Sequence, residues 1–172
     1  MPELPKPRSR AVFCGKDKTM KAVIQRVKRA AVRVDNEIVG EIGHGLCLLV
    51  GVTVEDEAVQ GDYLAEKIAN LRIFEDDAQK LNRSVKDVDG EILAVSNFTL
   101  CTEPKKSGNR PSFTQAARPE KAQPLYDRFC EKLLELGVKK VAKGVFGADM
   151  EVTIIGDGPV TIIMDTDEKF KK

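Results

Sequence analysis

The chain has 172 residues and a near-neutral charge, with 28 Lys and Arg against 27 Asp and Glu, which gives a formal net charge of +1. This length suits one domain with a substantial core, and no run approaches the roughly 20 apolar residues of a membrane-spanning helix. Because the overall charge does not demand nucleic acid, any RNA contact must use a local basic patch. The 4 cysteines are widely spaced, which favours a reduced intracellular protein over a disulfide scaffold or a zinc site.

Residues 1–19 differ from the rest of the chain, because prolines and basic side chains interrupt any apolar pattern there. The segment lacks the apolar core of a secretory signal, and its prolines spoil the amphipathic helix of a mitochondrial targeting sequence. We therefore expect a basic, disordered extension, followed by a single domain over residues 20–172.

Three strands and a helix are predicted in the first half of the domain. β-Branched residues over 21–34 predict a strand, Asp35-Asn36 a turn, and residues 37–42 the returning strand. A continuous apolar run over residues 46–50 indicates a strand covered on both faces. Apolar residues at helical spacing predict a helix over residues 55–73, with acidic side chains in its first turn, where the helix dipole favours them.

The second half contributes three more strands and a second helix. An apolar run predicts a buried strand that ends at Ser96, and a helix is expected from Pro119 to Gly137, two residue types suited to those helix ends. Two further strands are predicted over residues 151–155 and 160–164, the second of them buried. This order predicts an α/β domain with a mixed or antiparallel sheet and two main helices.

Two short polar stretches adjoin these apolar runs, at residues 96–100 and 156–161. Hydroxyls, an amide and a Gly-Pro kink at the ends of core strands are a usual place for a binding site. Spacing alone equally allows Asp157-Gly158-Pro159 to be an ordinary hairpin turn. His44, the single histidine, lies between two glycines in a predicted surface turn, so neither a His-activated nucleophile nor a metal site is indicated.

Several segments taken together resemble the D-aminoacyl-tRNA deacylase family over about residues 20–166. They cover residues 20–27, 40–43, 72–74, 96–100, 110–113, 146–150 and 157–161. Their order and joint presence carry the resemblance, since no single segment is decisive. It implies the family's fold, a homodimer with the active site at the subunit interface, and aminoacylated tRNA as substrate. It also implies a cytoplasmic hydrolase that removes D-amino acids from tRNA without a metal or cofactor.

The resemblance places the chemistry on Ser96, Asn97 and Thr99. Asn97 stands where the family pattern has Gln, one methylene longer, which puts its individual role in question. We expect Thr99 to orient the substrate carbonyl through its hydroxyl or backbone N–H. A covalent role for the Thr99 hydroxyl is the alternative, although no base is identified to activate it, and an ordinary strand threonine is the third reading.

The resemblance also implies that Gly158 and Pro159 are joined by a cis peptide bond and enter the active site of the opposite subunit. Main-chain atoms packed against the substrate's α-carbon would leave no room for an L side chain. Glycine has no side chain to exclude, so glycyl-tRNA is an expected second substrate. Four further residues are expected to line the binding site, of which the two phenylalanines are equally candidates for the core: Phe98, Phe146, Val160 and Thr161.

A basic loop containing Lys105, Lys106 and Arg110 is predicted to contact tRNA phosphates, with a solvated loop as the alternative. Three further lysines would extend this surface: Lys139, Lys140 and Lys143. Two rival functions stay open. One is a non-catalytic RNA- or DNA-binding module on the same fold, and the other is a small-molecule esterase of broad specificity.

Overall fold

The computed structural model describes residues 19–102 and 108–170. Within those ranges the elements in chain order are β1 (Lys21–Val34), β2 (Glu37–Ile42), β3 (Gly45–Gly51), α1 (Ala58–Ala69), β4 (Phe74–Glu75), β5 (Leu81–Arg83), β6 (Glu91–Ser96), a short 3-10 helix (Phe98–Cys101), α2 (Pro119–Glu135), β7 (Val141–Lys143), β8 (Glu151–Asp165) and α3 (Asp167–Phe170). Among the described helices, none has the length and apolar character needed to span a bilayer.

The strands form one six-stranded mixed sheet and a separate two-stranded hairpin. The sheet order is β2-β1-β3-β6-β7, in which β2 and β3 pair with different halves of the same edge of β1. The other edge of β1 pairs with β8. In the separate hairpin, β4 pairs with β5. The strands β2, β3 and β8 are antiparallel to β1, whereas β3–β6 and β6–β7 are parallel. The predicted α/β domain with a mixed sheet and two main helices is therefore confirmed.

The β1–β2 hairpin shows how local sequence sets this arrangement. Asp35 and Asn36 both have positive φ angles, 48° and 66°, as a two-residue hairpin turn requires. The turn predicted at these residues is confirmed. The parallel pairing of β3 with β6 needs a crossover instead, and α1 supplies it.

Both faces of the central strands are buried, as predicted for residues 46–50. Alternate residues such as Leu46 and Leu48 belong to a large core with α1 and α2. Cys47 and Leu93 point the other way, into a smaller apolar cluster with Val27 and Val95. The ends of β3 and β6 therefore emerge from a well-packed centre, and that position determines where a binding site can form.

The structure corrects the predicted bounds of two elements. The first helix spans Ala58–Ala69 only, so the acidic residues at its predicted start precede it, and Asp56 is fully buried. The predicted strands over residues 151–155 and 160–164 are one strand, β8. Its apolar run is buried on one face only: Ile162 and Met164 pack against the core, whereas Ile163 on the other face is 74% exposed.

Short elements escaped prediction because two to four residues show no measurable period. These are β4, β5 and β7, together with the 3-10 helix and α3. The predicted disordered leader falls on residues 1–18, outside the described residues. Thr19, which was assigned to that leader, is buried, and its hydroxyl donates a hydrogen bond to the Asp165 carboxylate. The folded domain therefore includes Thr19.

Asp56 ties the start of β1 to the entrance of α1. One carboxylate oxygen accepts the Met20 N–H at 2.7 Å, and the other accepts the Thr53 N–H at 2.7 Å and its hydroxyl at 3.0 Å. Burial nevertheless raises the pKa of Asp56 to about 6, because desolvation of the charged form outweighs these donors.

This raised pKa makes the stability of the protein depend on pH. The folded state holds a proton on Asp56 more tightly than the unfolded chain, so the resulting stabilisation is present below about pH 4 and lost as pH rises through about 6. We expect urea titrations to show this decline in the free energy of unfolding for the wild type and for Asp62→Asn, a partly exposed carboxylate. Asp56→Asn should lack it, and an unchanged slope in that variant would contradict the assignment.

Candidate active site

A mostly apolar cleft of about 660 Å³ opens at the ends of β3 and β6. Its walls come from these strand ends, from the first turns of α2, from residues 146–150, and from Val152 and Ile154 of β8. Ser96 and Asn97 contribute polar side chains at the end of β6, beside apolar groups such as Val50 and Ala122. A concave apolar site with a few polar groups at one end is typical of ligand binding.

The polar end of the cleft is organised by Asn97. Its backbone N–H donates to Val50 O at 2.7 Å, which continues the β3–β6 pairing by one residue. Its side-chain Oδ1 accepts the Thr99 N–H at 3.2 Å and the Thr99 hydroxyl at 2.5 Å, and so caps the 3-10 helix. Because Oδ1 is used in this way, the Asn97 amide NH2 is left to face elsewhere.

Two donors remain available at this end of the cleft. Neither the Asn97 NH2 nor the Ser96 hydroxyl makes a hydrogen bond to any residue in the described part of the chain, and both residues line the cleft. Thr99, in contrast, is exposed and is not among the lining residues. Both of its donors are already directed at Asn97 Oδ1. Ser96 and Asn97 therefore each hold an available side-chain donor at the cleft.

The aromatic residues at the cleft form two pairs, one that includes the exposed Phe98 and one that includes the buried Tyr126. Phe98 is 59% exposed and packs edge-to-face on Phe113, with 5.2 Å between ring centroids. Phe146 lies half-buried against Tyr126 at 6.1 Å, and both line the cleft with Phe98. The Tyr126 hydroxyl donates to Ala94 O at 2.8 Å, and burial raises the pKa of Tyr126. Phe98 is therefore a surface wall of the cleft and no part of the core.

The second polar stretch is a protrusion within β8 and not a hairpin turn. Val27 faces Gly156 and Gln25 faces Thr161, so residues 157–160 lie opposite Arg26 alone. The Gly158–Pro159 peptide bond is cis, and both residues are exposed. The φ of Gly158 is 152°, and an added Cβ would lie 2.3 Å from Val160 N, so only glycine fits. We call residues 157–160 the Gly-Pro corner.

Arg26 holds the Gly-Pro corner against the sheet, a role that sequence reasoning missed. Its Nε donates to Asp157 O at 3.0 Å and its Nη1 to Ile73 O at 2.8 Å. The Arg26 side chain is nearly buried, and its Nε is also 3.4 Å from Asp157 Oδ2. His44 Nε2 lies 3.6 Å from the same oxygen. The available signal was an arginine in phase with Ala22 and Ile24, at an alternate position of β1 that points into the core.

One protomer does not bring the corner and the cleft together. Val152 and Ile154 of β8 line the cleft, but no residue of 157–161 does. Val160 packs against the large core formed with α1 and α2, whereas Thr161 is exposed. Within one protomer the corner is therefore not part of the cleft wall.

The predicted basic surface is only partly described. Lys105 and Lys106 lie outside the described residues, and Arg110 is exposed. The three lysines expected to extend this surface each have a carboxylate partner, which offsets their charge: Lys139 with Asp89 at 2.9 Å, Lys140 with Glu91 at 3.8 Å, and Lys143 with Asp127 at 3.1 Å.

Metal-ligating and thiol groups are not organised at the cleft. Within residues 19–102 and 108–170, no three His, Cys, Asp or Glu side chains group as metal ligands. Cys47, Cys101 and Cys130 are free and buried. Burial raises the pKa of Cys47 and Cys101 to about 11 and that of Cys130 to about 12. At neutral pH these three are protonated thiols and poor nucleophiles.

The comparisons of this sequence with a family model and with known proteins agree on one family. The family model described as D-Tyr-tRNA(Tyr) deacylase matches residues 23–165. A D-aminoacyl-tRNA deacylase of Caldicellulosiruptor saccharolyticus is 55% identical over 88% of this chain and 100% of its own length. One from Symbiobacterium thermophilum is 51% identical over 88% of this chain and 99% of its own length.

Two solved structures share the fold. One, titled c-Myc DNA Unwinding Element Binding Protein, has a TM-score of 0.78 and 43% identity over 84% of this chain and 97% of its own. The other, titled as a probable eukaryotic D-amino acid tRNA deacylase, has a TM-score of 0.72 over 86% of this chain and 99% of its own, and at 19% identity it supports the fold alone. With the family model and the relatives in agreement over most of its length, this chain belongs to the D-Tyr-tRNA(Tyr) deacylase family.

Proposed function

We propose that this chain is a cytoplasmic D-aminoacyl-tRNA deacylase, which hydrolyses the ester between a D-amino acid and tRNA. The observation that carries this proposal is the 55% identity over full length to a D-aminoacyl-tRNA deacylase. It is supported by an apolar cleft whose free donors, on Ser96 and Asn97, stand at one end. We take hydrolysis of glycyl-tRNA as part of the same activity.

The substrate's own chemistry explains why so few reactive groups are needed. The α-ammonium of an aminoacyl ester withdraws electrons from the carbonyl, and the neighbouring ribose hydroxyl can assist departure of the ribose oxygen. Water adds to the carbonyl carbon, the carbonyl oxygen becomes an oxyanion, and the ester C–O bond then breaks. Donors held where that oxyanion forms lower the barrier without a histidine or metal. In this chain the Asn97 NH2 and the Ser96 hydroxyl would serve as those donors.

Thr99 would act through Asn97. Its N–H and hydroxyl hold Asn97 Oδ1, which fixes the amide with its NH2 towards the substrate. A nucleophilic Thr99 is less well supported, because its hydroxyl donates to an amide oxygen, which is no base. This arrangement also accounts for asparagine in place of the family's glutamine: the shorter side chain reaches Thr99 and keeps one donor.

Chiral selection would require a homodimer in which the Gly-Pro corner of one protomer enters the cleft of its partner. Gly158 and Pro159 are exposed in the protomer, on an edge strand that also exposes Ile155 and Ile163. Apolar side chains on an exposed edge are the kind of surface that a second chain covers. Backbone atoms of the corner would then occupy the space that the side chain of an L-amino acid needs. The α-hydrogen that a D-amino acid or glycine places in that space would fit.

The proposed activity is tested with D-tyrosyl-tRNA, L-tyrosyl-tRNA and glycyl-tRNA. We expect release of D-tyrosine and glycine well above the uncatalysed rate and little release of L-tyrosine, measured as loss of acid-precipitable labelled aminoacyl-tRNA. Equal rates for the two enantiomers would reject chiral selection. Hydrolysis of a D-tyrosyl ethyl ester as efficient as that of the tRNA ester would favour a small-molecule esterase instead.

The role of Asn97 is tested by keeping its acceptor while removing its donor. Asn97→Asp retains an oxygen for Thr99 but places negative charge where the oxyanion forms, and we expect kcat to fall by about 10²–10³-fold. Thr99→Val should reduce kcat less, and Thr99→Ser should restore it, because serine keeps both donors to Asn97. An acyl-enzyme on Thr99, trapped in single-turnover mass spectrometry, would contradict the positioning role.

The shared active site is tested with a tagged heterodimer of two inactive subunits. One subunit carries Asn97→Asp and the other Gly158→Ala, in which the new Cβ would clash with Val160 N. If the corner acts across the interface, one of the two sites is intact, and we expect about half of the wild-type activity. No activity above that of the parent homodimers would reject the arrangement, and Pro159→Ala in place of Gly158→Ala guards against misfolding.

A second candidate function is DNA binding without catalysis. The observation that favours it is the 43% identity to a structure titled c-Myc DNA Unwinding Element Binding Protein. An inactive protein in the aminoacyl-tRNA assay that binds duplex or single-stranded DNA in a gel-shift experiment would support this function over the deacylase.

A further inference from the structure

The Gly-Pro corner can discriminate between enantiomers only if its backbone stays in place, and this inference therefore rests on the proposed function. Positions in an active site must be held to within a fraction of an ångström to be effective. Asp157 opens the corner, directly before Gly158. Whatever holds Asp157 consequently limits the movement of the corner.

Arg26 provides a contact with Asp157 that does not depend on pH in the physiological range. Its guanidinium is always charged, is nearly buried, and donates to Asp157 O while also bonding Ile73 O. This contact holds the backbone of Asp157 at its carbonyl oxygen only. The carboxylate is less constrained, since its Oδ2 lies 3.4 Å from Arg26 Nε.

His44 reaches the same carboxylate from the turn between β2 and β3. Its carbonyl accepts the Glu91 N–H at 3.0 Å, and the preceding Gly43 N–H donates to Glu91 Oε2 at 3.0 Å, so the turn is fastened to β6. Its ring packs edge-to-face on buried Phe74, with 5.2 Å between centroids. The ring is thus oriented from two sides, with Nε2 3.6 Å from Asp157 Oδ2.

We propose that His44 is a positioning residue that holds the Gly-Pro corner through Asp157, and that its protonation tightens chiral discrimination. A charged imidazolium attracts the Asp157 carboxylate, whereas the neutral ring makes only a weak contact with it. Imidazole side chains change charge between about pH 5 and 8. The corner is therefore held most firmly in mildly acidic solution and more loosely as pH rises.

The charges around the ring come from three strands. Asp157 on β8 has its Oδ2 3.6 Å from His44 Nε2, and Arg26 on β1 has its Nε 3.4 Å from the same oxygen. Glu91 on β6 lies beneath the turn and is itself 3.8 Å from Lys140 Nζ. The His44 side chain is 49% exposed, so water and salt reach the ring. The effect on selectivity is accordingly modest.

The experiment measures kcat/KM for D-tyrosyl-tRNA and L-tyrosyl-tRNA from about pH 5.5 to 8, after subtraction of uncatalysed hydrolysis. The ratio of the two constants cancels the pH dependence of the ester itself, because both substrates carry the same amine and leaving group. We expect the wild-type ratio to fall about fivefold over this range, which corresponds to the energy of one partly exposed ion pair.

Substitutions separate charge from packing. His44→Gln should give a low, pH-independent ratio, and His44→Lys a high, pH-independent ratio, since lysine stays charged throughout. Asp157→Asn should abolish the pH dependence with His44 in place. His44→Gln with the same pH-dependent ratio as the wild type overturns the proposal, as does a pH dependence that survives in Asp157→Asn.

Failure of this inference is distinguishable from failure of the proposed function. If the wild type does not hydrolyse D-tyrosyl-tRNA at all, the deacylase function itself is rejected. If it hydrolyses and discriminates, but His44→Gln and His44→Lys behave identically, only the role of His44 is rejected. Urea unfolding of each variant shows whether a change in the ratio reflects the corner or loss of the folded state.

Discussion

Strand β1 is the constraint on which the rest of the structure depends. Its first half pairs with β3 and its second half with β2, while β8 runs along its other edge for almost the whole length. Every strand of the main sheet is therefore placed directly or through β3 by this one segment. The cleft and the Gly-Pro corner both take their positions from it, on opposite sides.

This arrangement separates the parts of the proposed site within one chain. The cleft lies where β3 and β6 end, and β8 contributes Val152 and Ile154 to its wall, but no residue of the corner lines it. The proposed function therefore needs a symmetric pair of chains to bring the corner and the cleft together. In such a pair each protomer would supply both parts.

In the proposed function the cleft acts by positioning the substrate and not through reactive groups. Asn97 Oδ1 is occupied by Thr99, and that local cap leaves the amide NH2 as the group that can donate to a ligand. A side chain one methylene longer would need a different partner for its oxygen. Asparagine at this position therefore alters how the donor is held, while the cleft keeps a donor at the end of β6.

The two main helices, the longer strands and the hairpin turn at Asp35-Asn36 followed from the sequence, because each is encoded by neighbours a few residues apart. The family resemblance likewise came from the sequence, together with the site residues at the end of β6. Sequence also placed His44 in a surface turn, although not its contact with Asp157.

Only the tertiary structure decided whether residues 157–160 reverse the chain or protrude from one strand, because the answer depends on Arg26, a distant residue of β1. The burial of Asp56 and the exposure of Ile163 were also decided there, by which strands and helices become neighbours. Local patterns specify the elements, whereas burial and long-range hydrogen bonds arise from contacts between segments far apart in the chain.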